Sequence, residues 1–232
     1  MRRLISTGCG SLDKLLNGGL PTNSISLVYG EAETGKSSLA VQCAVNTARM
    51  GYKTLFIDSD SAFSPRRLSQ IAYYDSAEVS SLVTLVKPTT FEEQAIAIDN
   101  LDVYITEKVG LVVVDTITSL YRAELGDSKE TFALNRELNR QVASLAQIAK
   151  THRVAALILS QVRSVFAEAH VSIEPVATRA LKFWSDVVLN LKHSDQPRVI
   201  KVLLEKCPKR KSSASCYLLI ESSGICDYSR KI

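Results

Sequence analysis

Residues Gly30-Glu31-Ala32-Glu33-Thr34-Gly35-Lys36-Ser37 form a glycine-flanked loop between an apolar run at 25–29 and a helix-forming run at 38–50. Strand, glycine-bounded loop and helix in this order are the context that a phosphate-binding P-loop requires. Glycines let the backbone curl so that successive N–H groups point inward, and the helix start adds the positive end of its dipole. The pattern favours a phosphate site over an ordinary turn before a helix.

The loop supplies the ligands that a nucleoside triphosphate and its metal ion need. In this motif Lys36 reaches the β- and γ-phosphates, and the hydroxyl of Ser37 ligates Mg²⁺. Glu31 and Glu33 are unusual, because carboxylates in a loop that holds a polyanion weaken binding unless they face away from it. The predicted nucleotide-binding residues here are Gly30, Glu31, Ala32, Glu33, Thr34, Gly35, Lys36, Ser37 and Ser38.

Length and composition limit the classes of protein to which this chain can belong. The 232 residues carry a formal net charge of +4, which indicates neither a nucleic-acid partner nor an acidic one by itself. The five cysteines have no close pair and the three histidines are scattered, so the sequence predicts neither a disulfide framework nor a zinc site. It contains neither a signal-peptide-like segment nor a run of membrane-spanning length. We expect one domain over residues 1–232, a cytoplasmic location and no membrane partner.

Apolar runs and helical runs alternate along the chain. Strands are predicted at 25–29, 53–58, 82–86, 110–115 and 154–159, and the helices between them at 38–50, 65–74, 90–106 and 129–150. This alternation predicts an α/β fold with a mostly parallel, doubly wound sheet. Four further strands follow one another without helices, at 186–191, 198–205, 215–221 and 225–228. They predict an antiparallel C-terminal meander joined to that sheet.

Polar side chains lie at the ends of three predicted parallel strands. Asp115 ends an apolar strand, Asp60 comes two residues after the strand at 53–58, and Gln161 follows the strand at 154–159. Because such strand ends meet at one edge of a sheet, we expect these side chains to surround the phosphates. Asp115 either holds Mg²⁺ through its water shell or caps the next helix. Asp60 would polarise an attacking water, and Gln161 would bond the γ-phosphate and transmit its loss to the following loop.

A series of short motifs runs through nearly the whole chain. In order they are Ile5-Ser6-Thr7-Gly8, Ser11-Leu12-Asp13-Lys14-Leu15-Leu16, Gly18-Gly19, Tyr29-Gly30-Glu31, Thr34-Gly35-Lys36, Ile57-Asp58, Phe63-Ser64-Pro65, Arg67-Leu68, Asp115, Ser119-Leu120-Tyr121-Arg122, Ser160-Gln161-Val162 and Leu181-Lys182-Phe183-Trp184-Ser185-Asp186. The series resembles the core of the archaeal and eukaryotic RecA-type recombinases, most of all the archaeal RadB group. That resemblance implies a RecA-like P-loop fold. Full-length recombinases carry an amino-terminal DNA-binding domain, and the few residues before the core imply that this chain has none.

The resemblance implies ATP and Mg²⁺ as cofactors. It implies that Lys36 and Ser37 bind phosphate and Mg²⁺, and that Asp115 is the second acidic anchor of the metal ion. It also implies that Gln161 senses the γ-phosphate and that Arg67 lies over the adenine.

The recombinases have glutamate where this chain has Asp60. The shorter side chain retracts the carboxylate by about one carbon–carbon bond, and a misplacement of about 1 Å can cost on the order of a hundredfold in rate. Lys36, Asp60 and Gln161 are therefore the predicted catalytic residues of a weak ATPase.

Two segments correspond to the DNA-contacting loops of the recombinases. They are residues 121–131, with Arg122, and residues 162–180, with Arg163 and Arg179. The first segment also carries acidic residues, and the second lacks the glycine pair of the strand-exchange enzymes. For both reasons we do not expect active strand exchange.

The clearest basic cluster consists of Lys206, Lys209, Arg210 and Lys211, in a predicted hairpin tip between two tail strands. It is either a solvated turn or a DNA contact. A contact between these side chains and phosphates would be independent of base sequence and would weaken with salt.

The expected function is that of an ATP-binding, DNA-binding accessory protein of homologous recombination and DNA repair. It would be of the mediator type and associated with the nucleoid, and nucleotide would act as a conformational signal more than as fuel. Expected partners are DNA, with single strands favoured and low sequence specificity, and the main recombinase; formation of homo-oligomers stays open. Two alternatives are a recombinase that exchanges strands alone and a RecA-like signalling ATPase with no role on DNA.

Overall fold

One nine-stranded sheet organises the chain in the computed structural model, which describes residues 3–126, 128–167, 170–175, 177–208 and 213–229. The strands follow in chain order: β1 (Leu4–Ile5), β2 (Leu20–Pro21), β3 (Ser24–Gly30), β4 (Lys53–Asp58), β5 (Val83–Val86), β6 (Val109–Asp115), β7 (Ala155–Ser160), β8 (Val162–Ala167), β9 (His170–Pro175), β10 (Val187–His193), β11 (Val199–Lys206), β12 (Ala214–Glu221) and β13 (Gly224–Asp227). The order across the large sheet is β13-β12-β11-β10-β3-β7-β6-β4-β5.

The large sheet is parallel over most of its width and antiparallel at one end. Neighbouring strands from β10 through β3, β7, β6 and β4 to β5 run parallel. Strands β10 to β13 form an antiparallel meander. This arrangement confirms the predicted α/β fold with a mostly parallel, doubly wound sheet and an antiparallel C-terminal meander.

Helices cover both faces of the sheet. They are, in chain order over the described residues, α1 (Gly10–Leu15), α2 (Lys36–Arg49), α3 (Pro65–Ala72), α4 (Ser76–Ser81), α5 (Phe91–Asp99), α6 (Leu101–Tyr104), α7 (Ser119–Ala123), α8 (Ser128–Thr151) and α9 (Thr178–Trp184). One buried apolar cluster packs α1, α2 and α3 against one face of the sheet, and a second cluster packs α5 and α8 against the opposite face. Every residue of β3, β6 and β7 is buried, as expected of parallel strands covered on both sides. None of the described helices is long and apolar enough to cross a membrane.

Two predicted helices end earlier than the sequence pattern suggests. The helix that Ser64 caps by accepting a hydrogen bond from the N–H of Arg67 ends at Ala72, and a short 3-10 turn, Tyr73–Asp75, leads into α4. The helix predicted over 90–106 divides at Asn100 into α5 and α6. The first difference lies at a helix end, where local sequence signals are weakest. The second lies inside the predicted helix, at Asn100.

Most of the described residues in the segment 162–180 belong to strands or a helix. Strands β8 and β9 pair antiparallel along their whole length, and α9 follows them. The second of the two predicted DNA-contacting segments is therefore a β-hairpin followed by a helix.

Gln42 ties the two ends of the chain to the middle of α2. Its side-chain amide donates to the carbonyl oxygens of Thr7 (2.8 Å) and Ile225 (2.9 Å), and its amide oxygen accepts from the N–H of Ile225 (2.7 Å). Because Gln42 is buried, water could not replace its side chain as the hydrogen-bond partner of these backbone groups. One side chain thus fixes the amino-terminal segment and β13 against α2.

Replacement of Gln42 by leucine should destabilise the fold. The substitution keeps the volume but leaves the three buried backbone groups without their partner, which we expect to cost about 2–4 kcal/mol of unfolding free energy. Urea unfolding measures the loss. Gln147→Leu, at an exposed position on α8, is the matched control and should change stability by less than about 0.5 kcal/mol. Equal stability of the two variants would contradict the role of Gln42.

Candidate nucleotide and metal site

The loop between β3 and α2 has the backbone that the motif predicts. Gly35 has φ 82° and ψ 16°, a left-handed conformation that glycine adopts without strain, and α2 begins at the next residue. Gly30 lies against β10, where a Cβ would come within 2.1 Å of the carbonyl oxygen of Leu191. Both glycines are therefore required by the packing and by the turn of the loop.

Lys36 folds back over this loop. Its Nζ donates to the carbonyl oxygens of Gly30 (2.9 Å) and Glu31 (2.6 Å). Burial lowers the pKa of Lys36, and the nearby carboxylates of Asp115 and Asp60 oppose this shift. The ammonium group is therefore held by neutral carbonyls at the place where the motif puts phosphate.

The two glutamates of the loop have different surroundings, and Glu33 lies at the cavity. Glu33 is exposed, and a carboxylate oxygen of Glu31 accepts from the backbone N–H of His193 at 3.5 Å. The ring Nε2 of His193 lies 2.9 Å from the carbonyl oxygen of Ala32, to which it donates. The end of β10 thus braces the loop, a contact that the sequence analysis did not predict.

Asp115 lies at the end of β6 with no exposed surface. Among the described residues, neither of its buried carboxylate oxygens accepts a hydrogen bond of ordinary geometry, and the hydroxyl of Ser37 is a donor close to them. Burial raises the pKa of Asp115 to about 6, an effect that the neighbouring hydroxyl of Ser37 opposes and the carboxylates of Asp58 and Asp60 reinforce. The arrangement leaves two buried acceptor oxygens close to Ser37 and Lys36, which is a suitable position for a divalent cation.

Asp60 and Gln161 meet at the carboxyl edge of the sheet. One carboxylate oxygen of Asp60 accepts from the Ser119 hydroxyl (2.5 Å) and from the side-chain amide of Gln161 (3.5 Å). The amide oxygen of Gln161 accepts in turn from the guanidinium of Arg122. A single chain of polar contacts therefore joins the residue predicted to orient water, the predicted phosphate sensor and a predicted DNA contact.

Asp58 shapes the turn that carries Asp60. Its buried carboxylate accepts from the N–H groups of Ala62 (2.9 Å) and Phe63 (3.2 Å), and Lys87 lies 3.8 Å away. The N–H of Asp60 donates to the carbonyl oxygen of Asp115 at 3.1 Å. The turn is therefore fixed both by its own aspartate and by the neighbouring strand β6.

These groups open into one cavity of about 480 Å³. Its size lies within the range of pockets that hold small ligands. Twelve residues line it: Gly30, Ala32, Glu33, Gly35, Lys36, Ser37, Ser38, Asp60, Thr116, Arg122, Gln161 and Val162. Ser119, Thr116 and His193 complete the site and were absent from the sequence prediction, because a hydroxyl or imidazole outside the loop carries no motif of its own.

Arg67 lies outside the cavity lining. Its guanidinium donates to the Ser38 hydroxyl (3.2 Å) and to the carbonyl oxygens of Ser222 (2.6 Å) and Glu221 (3.0 Å). Burial lowers its pKa. In this arrangement Arg67 joins α3 to the start of α2 and to the turn between β12 and β13, and its placement over adenine stays a prediction.

The predicted DNA contacts are distributed over several elements. Arg122 lines the nucleotide cavity, and Arg179 is exposed on α9. Arg163 lies on β8 opposite Glu174 in the strand pairing. Lys206 ends β11 and donates to the carbonyl oxygen of Lys182 at 3.1 Å. The remaining predicted contacts, Lys209, Arg210 and Lys211, lie outside the described residues.

Asp115→Asn should stabilise the nucleotide-free protein in a pH-dependent way. The pKa of Asp115 is raised from 3.8 to about 6 in the folded protein. Ionisation of Asp115 therefore lowers the free energy of unfolding as the pH rises through that interval. The variant should match the wild type near pH 4 and exceed it by about 2–3 kcal/mol above pH 7. Urea unfolding at the two pH values measures the difference.

Asp58→Asn is the control for this experiment. Asp58 accepts two backbone hydrogen bonds, so its replacement should lower stability at both pH values. A stability difference between Asp115→Asn and wild type that does not change with pH would contradict the assignment of Asp115.

Comparison with known proteins gives a consistent result over nearly the whole chain. The Rad51 family model matches residues 3–228. A DNA repair and recombination protein RadB from Thermococcus gammatolerans is 35% identical over 229 residues, which cover 97% of this chain and 100% of that protein. Another from Methanococcus maripaludis is 31% identical over 92% of this chain and 96% of the relative. A crystal structure of the RadB recombinase has a TM-score of 0.85 and 33% sequence identity, covering 97% of this chain and 100% of the other. The chain therefore belongs to the Rad51 family and, within it, to the RadB group.

Proposed function

We propose that this chain is an ATP-binding and DNA-binding accessory protein of homologous recombination and DNA repair, acting as a single core domain. The observation that carries the proposal is the buried carboxylate of Asp115 beside the Ser37 hydroxyl, at the cavity that Lys36, Asp60 and Gln161 line. A nucleoside triphosphate with a divalent cation supplies both the positive charge that this carboxylate needs and the anion that Lys36 needs.

The P-loop is already shaped for phosphate. Lys36 donates to two carbonyl oxygens of its own loop, and phosphate oxygens would replace these neutral acceptors with charged ones. An anionic phosphate oxygen adds to the hydrogen bond an attraction between opposite charges, which a neutral carbonyl oxygen does not provide. ATP binding would therefore draw the ammonium group away from Gly30 and Glu31.

Ser37 and Asp115 would hold Mg²⁺. The fit rests on the hydroxyl of Ser37 and on the two acceptor oxygens of Asp115, which among the described residues have no other partner. Oxygen ligands of this kind suit Mg²⁺, which when bound neutralises charge on the β- and γ-phosphates. Because Asp115 must be ionised to serve, metal binding should weaken as the pH falls through about 6.

Gln161 would couple nucleotide to DNA. Its amide oxygen accepts from Arg122, and its amide nitrogen donates to Asp60. A γ-phosphate oxygen would compete with Asp60 for the amide N–H of Gln161. The resulting turn of the amide would change the position of Arg122, which donates to the amide oxygen, and of the hairpin that begins at Val162. ATP would in this way act as a conformational signal for DNA binding.

ATP hydrolysis would be slow because the side chain of Asp60 is short and is already hydrogen-bonded to two other side chains. Its carboxylate accepts hydrogen bonds from Ser119 and Gln161. Because the side chain of aspartate is one methylene shorter than that of glutamate, the carboxylate would not reach as close to an attacking water. Slow turnover fits an accessory that keeps its bound nucleotide and assists the main recombinase at the nucleoid. Homo-oligomer formation is compatible with this role.

Two experiments separate the proposal from its alternatives. A strand-exchange assay without other proteins should show no exchange, whereas an autonomous recombinase would exchange strands. Single-stranded DNA should bind and stimulate hydrolysis, whereas a signalling ATPase with no role on DNA would show neither response.

Lys36→Ala should uncouple DNA binding from ATP. In the wild type, the affinity for single-stranded DNA should differ by at least about fivefold with and without ATP·Mg²⁺, the lower end of ordinary coupling between sites. In Lys36→Ala the two affinities should coincide, because the phosphates lose their cation. Fluorescence anisotropy with a labelled oligonucleotide measures both.

Lys201→Ala is the matched control, since this lysine lies on β11 near Tyr217, outside the cavity lining. It should keep the response to ATP. If Lys36→Ala retained the wild-type response, the proposed coupling would be wrong.

Asp60→Glu should raise the rate of ATP hydrolysis. The longer side chain extends the carboxylate by about one carbon–carbon bond toward the cavity, and alignment on that scale is worth on the order of a hundredfold at most. We expect an increase of about tenfold or more in kcat in the presence of single-stranded DNA, measured by phosphate release. Asp60→Asn should lower kcat, and an unchanged or lower rate in Asp60→Glu would remove this residue from water positioning.

A further inference from the structure

Two tyrosine side chains that follow each other at the end of α3 are exposed to solvent. Tyr73 is 82% exposed and Tyr74 is 81% exposed. Their ring centroids are 6.3 Å apart and their planes are nearly perpendicular, at 88°. Single exposed apolar residues are ordinary, but two adjacent rings that are almost fully exposed form a patch able to bind a flat ligand.

The backbone at this patch is strained. Tyr73 has φ 59° and ψ −101°, a conformation that a bulky side chain rarely adopts. Such strain costs on the order of 1–3 kcal/mol and persists only where surrounding contacts enforce it. Ala72, one residue earlier, is buried in the apolar core, whereas the ring of Tyr73 is exposed.

Arg49 supplies the enforcing contacts. Its guanidinium forms two hydrogen bonds to the carboxylate of Asp75, at 2.8 and 3.0 Å, and a third to the carbonyl oxygen of Ala72 at 2.9 Å. The same group lies 5.4 Å from the ring centroid of Tyr74, within the range of a cation–π contact. The Arg49 side chain is 36% exposed and that of Asp75 only 13%, so the pair presents its cation more than its anion.

The basic character continues along the amino ends of the parallel strands. Arg3 lies over the ring of Tyr52, 3.7 Å from its centroid. Lys53 and Lys108 are both exposed and are joined by a backbone hydrogen bond of 2.7 Å. We call this the amino-edge surface and define it by these residues: Arg3, Arg49, Tyr52, Lys53, Tyr73, Tyr74 and Lys108. The ion pair of Arg49 with Asp75 is neutral overall, so the positive charge of this surface comes from Arg3, Lys53 and Lys108.

The amino-edge surface is remote from the nucleotide cavity. Lys36 begins α2 and Arg49 ends it, and a helix of 14 residues is about 20 Å long. No residue of the amino-edge surface lines the cavity. A ligand on this surface would therefore bind without touching ATP.

We propose that the amino-edge surface binds single-stranded nucleic acid, as a contact separate from the one that ATP controls. Exposed aromatic rings stack on unpaired bases, and fixed cations beside them follow the phosphates. A duplex offers no free base faces, so the two tyrosines favour the single strand. The contact would be tolerant of sequence, because every base has a face on which a ring can stack.

The test is single-stranded DNA binding without nucleotide, measured by anisotropy with a labelled oligothymidylate. Tyr73→Ala/Tyr74→Ala should weaken binding about tenfold or more, since each stacked base is worth on the order of 1–3 kcal/mol. Tyr73→Phe/Tyr74→Phe should restore it, because the rings and not the hydroxyls carry the contact. Both substitutions change exposed side chains, and the cooperative unfolding of each variant checks that the fold is kept.

Tyr217→Ala is the matched control, because it removes an exposed tyrosine ring that also lies near a cation, Lys201, but on β12, far across the sheet from the amino-edge surface. It should bind DNA within about twofold of the wild type. Wild-type affinity in the tyrosine-to-alanine variant would overturn the proposal. So would an equal loss in the phenylalanine variant.

The same variants distinguish this proposal from that of an ATP-controlled contact. In a Lys36→Ala background, the alanine pair should weaken binding by the same factor as in the wild type, whether or not ATP alters DNA affinity. A protein partner would give another result: normal DNA binding by the alanine pair, with loss of its effect on strand exchange by a recombinase. That outcome would also overturn the proposal.

Discussion

The buried carboxylate of Asp115 is the constraint on which the functional part of this structure depends. Asp115 has no exposed surface, and its pKa is raised to about 6 because burial disfavours its charge. The fold tolerates this cost because strands β4, β6 and β7 run parallel and bring their carboxyl ends to one edge. There Lys36 and Ser37 provide partial compensation. A site that is destabilised when empty and relieved by a bound cation gives ligand binding a large effect on stability.

Much of this arrangement was predictable because it follows from repeated local patterns. All-apolar runs ending in a polar residue predicted β6 and β7 within a residue of their observed bounds, and they placed Asp115 and Gln161 at the correct edge. The glycine-flanked loop predicted the start of α2 within two residues. These signals are reliable because strand burial on both faces and the turn before a helix each impose a residue type at each position.

The rest depended on contacts between elements that are far apart in sequence. Ser119 bonds to Asp60 across 59 positions and His193 meets Ala32 across 161, so neither could be assigned from its own neighbourhood. The hairpin of β8 and β9 was missed for a different reason. Alternation in Val171-Ser172-Ile173 is compatible with a strand, but the segment was interpreted through a resemblance to recombinase loops. A family resemblance thus predicted the element order well and the local structure of this segment less well.

Helix α2 connects the two regions where ligands are proposed, and its packing limits how they can communicate. Nine of its residues are buried, and Gln42 near its middle is bonded to both ends of the chain. A helix held in this way does not bend, so a change at Lys36 would reach Arg49 only through a shift of the whole helix, which its buried side chains and Gln42 resist. Gln161 and Arg122, in contrast, share a direct hydrogen bond at the cavity itself. DNA contacts near Arg122 would therefore follow the state of the nucleotide, while contacts at the amino-edge surface would be constant. A chain with both kinds of contact can stay on a single strand while its other contacts are switched.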